Sequence, residues 1–344
     1  MAHLRALCLL LICGALLAGC AREQVFHRES YVFGTRVDVA IHGGDRERAD
    51  AAISAVLREF DRLHRACHAW EPSELTDLNE ALARGQTHEV SPELAAMLRD
   101  AQQMAARGDG LFDPAIGALV ELWGFHTDTF EPARPDPEKL AALRAARPRM
   151  SDLVIDGQRV SSQNPAVKID LGGYAKGYAL DRAAAILRGR GIHDALINIG
   201  GNILALGSKG GQPWLIGIQH PRQPMPLATM PLYDGEAVGT SGDYQRYFEL
   251  DGARYAHLLD PRTGEPARAT QALTVLASPR PNAGTLSDAA SKPAYLAGDD
   301  WLEQTRHFAI EHALRVSADG RIEVTRALRA RLEFPVPLEI EVVD

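Results

Sequence analysis

The sequence lacks a basic stripe, both standard glycine-rich nucleotide patterns, any internal repeat, any low-complexity run and nearly all cysteine. Lys and Arg number 37 against 45 Asp and Glu, a net charge of -8, so a nucleic-acid partner is excluded on electrostatic grounds. Neither GxGxxG nor the Walker spacing occurs, which excludes the dinucleotide fingerprint and the P-loop as ways of holding phosphate. Four cysteines are present, and two of them, Cys8 and Cys13, lie in the first apolar segment, so no disulfide framework is expected. What remains is an ordinary globular composition, 46% hydrophobic over 344 residues, enough for one large domain or two.

The first twenty residues form a targeting segment. Arg5 supplies a positive start, Ala6 to Leu17 is apolar yet short for a membrane span, and Leu17-Ala18-Gly19-Cys20 closes it. That tetrapeptide resembles the bacterial lipobox. Residues 1–19 are then a lipoprotein leader, Cys20 carries lipid, 20–29 is a tether, and the mature protein is anchored at the cell envelope facing the periplasm. The alternative is an ordinary signal peptide in which Cys20 is incidental; either way the mature protein leaves the cytoplasm. Cys67, on the apolar face of an expected helix, reads as a small buried hydrophobe.

The chain is organised around Lys168 to Ile203. Val167 to Leu171 reads as a buried strand broken by Gly172 and Gly173. Ala179, Ala183, Ile186 and Leu187 then recur at helical spacing until Gly189 and Gly191, and a second strand, Ala195 to Ile199, ends at Gly200-Gly201. Glycines ahead of a helix N-terminus let backbone N–H groups approach an anion, so a phosphate-bearing ligand is the natural occupant. On spacing alone, these turns equally well only reverse the chain.

Around this centre the elements follow from local signals. Ser30 to Ile41 alternates as a strand interrupted at Gly34-Thr35. Ala49 to Cys67 is an amphipathic helix through Ile53, Val56, Phe60 and Leu63. Helices are entered at Ser73 and at Ser91-Pro92, closing near Gly85 and at Gly108. Glu131 to Arg149 is a solvated excursion with a short helix from Asp136, and Leu153 to Val160 is a hairpin about Asp156-Gly157. Strands are expected at Trp214 to Gln219, Glu236 to Gly239 and Leu273 to Ala277, with a hairpin about Asp251-Gly252.

Several residue groups allow two readings each. Trp70 stacks on a ligand ring or packs in the core. Asp113 before Pro114 is a cap and turn, or a ligand contact. Thr240-Ser241-Gly242-Asp243 offers hydroxyls and a carboxylate in one turn. His257, at a strand end with Asp260 and Arg262 near enough to orient it, is a surface group or a proton handler. Asp288 and Lys292, four apart, share a helix face as an ion pair.

Taken in order, FGT at 33–35, SELTDLN at 73–79, GLFDPAIGALVELWGF at 110–125, IDLGGYAKGYALD at 169–181, INIGGNI at 197–203, TSGDYQRYF at 240–248, HLLDPRTGEP at 257–266 and DAASK at 288–292 resemble the ApbE family of FAD:protein FMN transferases. The resemblance implies an α+β, T-fold-related domain over 30–334, with 335–344 as a tail and a helical part packed on a mixed or antiparallel sheet, FAD lying in the cleft between them. It implies that FAD is the substrate, that FMN passes to a Thr or Ser hydroxyl of an acceptor flavoprotein, and that AMP leaves. An FAD pyrophosphatase and a non-catalytic FAD-binding lipoprotein are the alternatives. Carried over residue by residue, it puts Phe33, Trp70, Leu111, Asp113, Gly172, Gly173, Lys176, Asp181, Thr240, Ser241 and His257 around FAD, and His257, Lys176 and Asp288 at the reacting phosphates. Mg²⁺ is expected on the Gly173 carbonyl and Asp288, but Lys292 stands where the family has a second oxygen ligand. A charged lysine donates and cannot ligate that cation.

Overall fold

The computed structural model describes residues 24–127 and 129–344; the leader and Cys20 lie outside the described residues. Strands β1 (Val25–Val32) and β2 (Thr35–His42) form a hairpin whose turn residues Phe33 and Gly34 both have positive φ, 57° and 66°. Helix α1 (Arg46–Ala66) is capped by Asp45 and buries Ile53, Val56, Phe60 and Leu63. Helix α2 (Glu74–Ala83) starts at a Ser73/Thr76 capping box, and α3 (Pro92–Arg107) starts at Ser91 with proline in its first turn. The two-residue β3 (His88–Glu89) precedes α3, and α4 (Gly117–Leu122) and α5 (Pro137–Ala146) follow it. No side chain of α5 is buried, in keeping with a solvated excursion.

Strands β4 (Leu153–Asp156) and β5 (Arg159–Ser162) pair about Asp156-Gly157 and, with β3, make a small sheet. Then come α6 (Ala175–Gly189), β6 (Ala195–Ile199) and β7 (Asn202–Leu206), the last two joined through Gly200 and Gly201 at φ 58° and 95°. Glycine takes both conformations without steric cost. Strands β8 (Trp214–Gln219) and β9 (Pro226–Leu232) form a separate hairpin. β10 (Ala237–Gly242), the hairpin β11 (Tyr247–Leu250) and β12 (Ala253–Ala256), the short β13 (Leu259–Asp260) and β14 (Glu265–Pro266), and β15 (Thr270–Ala277) follow. Helices α7 (Ala283–Leu296) and α8 (Trp301–His307), strands β16 (His312–Ser317) and β17 (Ile322–Thr325), helix α9 (Arg326–Arg329) and strand β18 (Ile340–Val343) complete the chain.

Nine strands form one sheet in the order β1-β2-β6-β7-β10-β15-β16-β17-β18, antiparallel except for the last pair. With the helices packed on it, this is the expected α+β arrangement. Alternation sorts the side chains into two layers. Val37, Val39, Ile197, Leu204, Ala237 and Val275 join the helices in the main core, while Ala40, Ile203, Val238, Leu276 and Leu314 face β8 and β9. A third cluster, with Trp123, Phe125, Phe248 and Tyr255 in mutual ring contact, ties α4 to the β11–β12 hairpin.

Three expectations are corrected. Val167 to Leu171 is extended and buries Val167, Ile169 and Leu171, yet it pairs with no neighbouring strand. Its backbone bonds instead to the 114–117 loop and to the Asn79 amide, which accepts from Ile169 N–H at 2.7 Å and donates to its carbonyl at 2.9 Å. Thr240 and Ser241 lie inside β10, not in a turn. The sheet also crosses both expected boundaries of the domain: β1 begins within 20–29, and β18 is built from 335–344.

Helices α6 and α7 run antiparallel and meet at two glycines. A Cβ on Gly177 would lie 2.3 Å from the Gly284 carbonyl oxygen, and one on Gly284 would lie 2.6 Å from that of Gly177. On its other side α7 touches β10 where Gly239 leaves room for the Ser287 carbonyl. A methyl group at the crossing must therefore push two backbones apart. Gly177→Ala is expected to lower stability by about 2–3 kcal/mol in urea unfolding, as overpacking of rigid cores does. A loss below about 0.5 kcal/mol, the range of an indifferent surface change, would contradict this close approach.

Candidate functional site

Each of the two crossing helices lacks a side-chain cap of its own. Each receives one from the other. Asp181 of α6 accepts from Gly284 N–H and Thr285 N–H at 2.8 Å and from the Thr285 hydroxyl at 2.6 Å, closing the first turn of α7. Asp288 of α7 accepts from Gly177 N–H at 2.9 Å, closing the first turn of α6. Orphan amides and the positive end of a helix dipole favour a carboxylate at both places.

One turn further along the crossing, Lys292 comes over Gly173. Its Nζ donates to the Asp288 carboxylate and, at 2.8 Å, to the Asp288 carbonyl. Burial pushes the Asp288 pKa up. The charges of Lys292 and Lys176 and the bonds from Lys292 and Gly177 outweigh it, so this fully buried acid sits below its ordinary value. For Lys292 burial dominates and lowers the pKa despite the attraction of Asp288. Behind the pair, the Ser241 hydroxyl meets that of Ser291 at 2.8 Å, and Ser291 donates to the Asp288 carbonyl at 2.8 Å.

Lys176 stands in the first turn of α6 and, among the described residues, its ammonium has no hydrogen-bond or ion-pair partner. It lies within electrostatic reach of Asp170, His257 and Asp288. The Gly173 carbonyl likewise accepts no hydrogen bond within the described residues. Asp170 accepts from Gly172 N–H at 2.7 Å, and burial raises its pKa against the pull of Arg246, Lys176 and His68.

His257 closes the group. Its Nδ1 lies 3.1 Å from the Arg246 carbonyl, an acceptor only, which puts the proton on Nδ1 and leaves the lone pair on Nε2. Burial, then the charges of Arg246, Lys176 and Lys292, lower its pKa to about 3. The imidazole is neutral and able to accept a proton. Asp260 and Arg262, expected to orient it, instead pair with each other at 2.8 Å; Arg246 does the orienting.

The structure thus brings Gly172, Gly173, Lys176, Ser241, His257 and Asp288 together. Phe33 sits at the β-hairpin tip, its ring on Phe60 and His64, and is held there at a φ that is costly for phenylalanine. Trp70 is half-buried under the Lys168 ammonium, 4.7 Å from the ring centroid, beside His126. The remaining residues of the expected set have partners within the protein. Leu111 is core. Asp113 spends its carboxylate on Ala115 and Met150 N–H groups, with its pKa pushed up to about 6 by burial. Asp181 is committed to α7. Thr240 points through the opposite face of the sheet, bonded to Thr274 at 3.0 Å, where it lines a separate cavity of about 300 Å³. Sequence reasoning passed over Asp170 and Arg246, although both stand inside quoted motifs.

Magnesium fits this donor set poorly. It requires oxygen donors, and of the Asp288 oxygens one accepts from Gly177 N–H while the other faces an ammonium whose charge opposes an incoming cation. Gly173 offers a free carbonyl, but Lys292 offers none.

An unpartnered cation in a helix's first turn, a glycine turn ahead of it and a neutral imidazole alongside are features that suit a phosphate-type anion with a proton acceptor beside it. The family follows from comparison. The sequence profile described as ApbE family matches residues 33–313. The FAD:protein FMN transferase of Rhodobacter capsulatus is 43% identical over 316 residues, 90% of this chain and 60% of that protein, so the chain spans about 60% of that relative's length. The one from Vibrio cholerae is 33% identical over 261 residues, covering 73% of this chain and 76% of the relative. The crystal structure of the ApbE protein of Thermotoga maritima superposes with a TM-score of 0.81 at 32% identity, covering 90% of this chain and 99% of that one. The chain belongs to the ApbE family.

The state of His257 is directly measurable. The folded pKa of about 3 lies below the ordinary 6.5, so between these values the unfolded chain holds a proton that the folded one does not. This residue therefore withdraws stability as the pH drops from 6.5 towards 3. In NMR titration of imidazole ¹³C or ¹⁵N shifts, the signal assigned through His257→Gln is expected to stay in its neutral position from pH 8 to about 5, well above that folded pKa. A midpoint near 6.5 would show an open, solvated histidine instead.

Proposed function

We propose that this chain is an FAD:protein FMN transferase that moves the FMN half of FAD onto a Ser or Thr hydroxyl of an acceptor flavoprotein and releases AMP. Membership of the ApbE family supports the reading, as do relatives carrying that name. The observation that carries it is the uncommitted Lys176 ammonium at the N-terminal turn of α6, with the neutral His257 in reach. A pyrophosphate needs cations and backbone N–H groups on its oxygens, and an attacking hydroxyl needs a base.

The step balances as follows. The acceptor oxygen attacks the phosphorus on the FMN side, and a new P–O bond forms. The bridging P–O bond breaks, its electron pair leaves with AMP, and the hydroxyl proton passes to His257 Nε2. Lys176 and the α6 terminus neutralise charge as it shifts to the leaving phosphate. Arg246 holds the imidazole in its tautomer through the backbone carbonyl. Phe33 and Trp70 are the aromatic surfaces offered to the flavin or adenine ring.

The cell-envelope placement is part of the proposal. The apolar leader and the lipobox-like Leu17-Ala18-Gly19-Cys20 support a lipid-anchored, periplasm-facing protein. Among the described residues no helix is long and apolar enough to cross a membrane.

The test is intact-mass spectrometry of an acceptor flavoprotein domain incubated with FAD and the leaderless chain. A covalent FMN increment is expected. His257→Gln is expected to slow it by about 10² or more, the usual contribution of a positioned base, while FAD affinity by fluorescence titration stays near that of the parent. Free FMN and AMP without an increment would make the chain a hydrolase. Full transfer by the variant would remove His257 from the base role.

A further inference from the structure

Lys292 is the one member of the buried cluster that the family pattern does not explain. Its ammonium carries three N–H groups, of which two are spent on Asp288, on the carboxylate and on the carbonyl. The side chain runs past the glycine turn closely enough that a Cβ on Gly173 would touch its Cε at 3.4 Å. The third N–H has no partner among the described residues, and the Lys176 ammonium lies within electrostatic reach. Asp288 is fully buried, and its other oxygen holds Gly177 N–H. A divalent ion entering here would have to expel a buried ammonium from its only carboxylate and leave it unpaired next to the incoming charge, a costly exchange.

We infer that the Lys292 ammonium is the resident cation of this site, standing where a divalent metal would otherwise sit, and that this chain transfers FMN without one. The inference rests on the transferase reading for its chemistry. The third N–H of Lys292 and the ammonium of Lys176 hydrogen-bond the pyrophosphate oxygens and take up the negative charge as the bridging bond breaks. The bond formed, the bond broken and the proton's destination are unchanged. A fixed ammonium brings a single charge and directional donors, whereas a metal brings two charges and bound water, so Lys176 carries more of the neutralisation here.

The experiment separates metal from catalysis. Leaderless chain is stripped on a chelating resin, and Mn²⁺ binding is read by EPR with FAD present, which needs no turnover. FMN transfer is followed in parallel by intact mass, with excess EDTA or with Mg²⁺. The wild type is expected to bind no Mn²⁺ at this site and to transfer at the same rate in both. Lys292→Thr, which restores an oxygen, is expected to bind one Mn²⁺ per chain and to lose at least about tenfold in EDTA, recovered by Mg²⁺. Lys292→Met, its fold checked by thermal melting, is expected to lose about 10²-fold with no rescue. Stoichiometric Mn²⁺ in the wild-type FAD complex, or transfer abolished by EDTA, overturns the inference. If no condition gives transfer, the transferase reading fails, and the EPR result still decides which cation the site holds.

Discussion

The contact of α6 with α7 at Gly177 and Gly284 is the constraint on which the rest of this structure depends. Two backbones touch where any Cβ would collide. Only at that separation does Asp181 reach the amides of α7 while Asp288 reaches the amide of α6. The reciprocal caps satisfy helix ends that have no caps of their own, and they draw a buried carboxylate to the end of α6. Lys292 is pinned there as its counter-ion. The capped first turn of α6 and the position of Lys292 over Gly173 both lie along this one close crossing.

Electrostatics then distributes the roles. Lys176, Lys292 and Arg246 all act on His257, and partial burial works in the same direction. The imidazole is thereby kept neutral in a positive surrounding, a weak base until an anion alongside offsets those charges. Asp170 and Asp288 offset the cations, so the cluster is not a bare positive hole that any anion would fill.

Local signals carried much of this into the sequence. Ser73, Ser91-Pro92 and Asp136 mark helix starts that the structure has, and Gly200-Gly201 and Asp251-Gly252 mark its turns. Elements without a local signature were hidden. β7 is buried at all five positions, so it shows no alternation, and β9 contains Pro226 and Pro231, which read as breakers. In the site, His257, Lys176, Gly173 and Asp288 come from separate motifs that the fold draws within electrostatic reach of one another. Thr240 was misread because its face depends on sheet register, Val238 opposite Ile203 and Thr240 opposite Thr274, which no single segment encodes. The capping roles of Asp181 and Asp288 depend on which helices cross, a tertiary fact. The mutual pairing of Asp260 with Arg262 shows the converse limit: neighbours in sequence bonded to each other and not to the histidine.

The account stands on where the pyrophosphate lies and which cation meets it. A crystal structure of the chain with FAD, grown in Mn²⁺ and measured for anomalous scattering, addresses both at once. The account requires the pyrophosphate at the first turn of α6, with Lys176 and Lys292 on its oxygens, His257 Nε2 facing the FMN-side phosphorus, and no anomalous peak at Asp288. A manganese peak on Asp288 with Lys292 swung away, or FAD bound on the Thr240 side of the sheet, would contradict it.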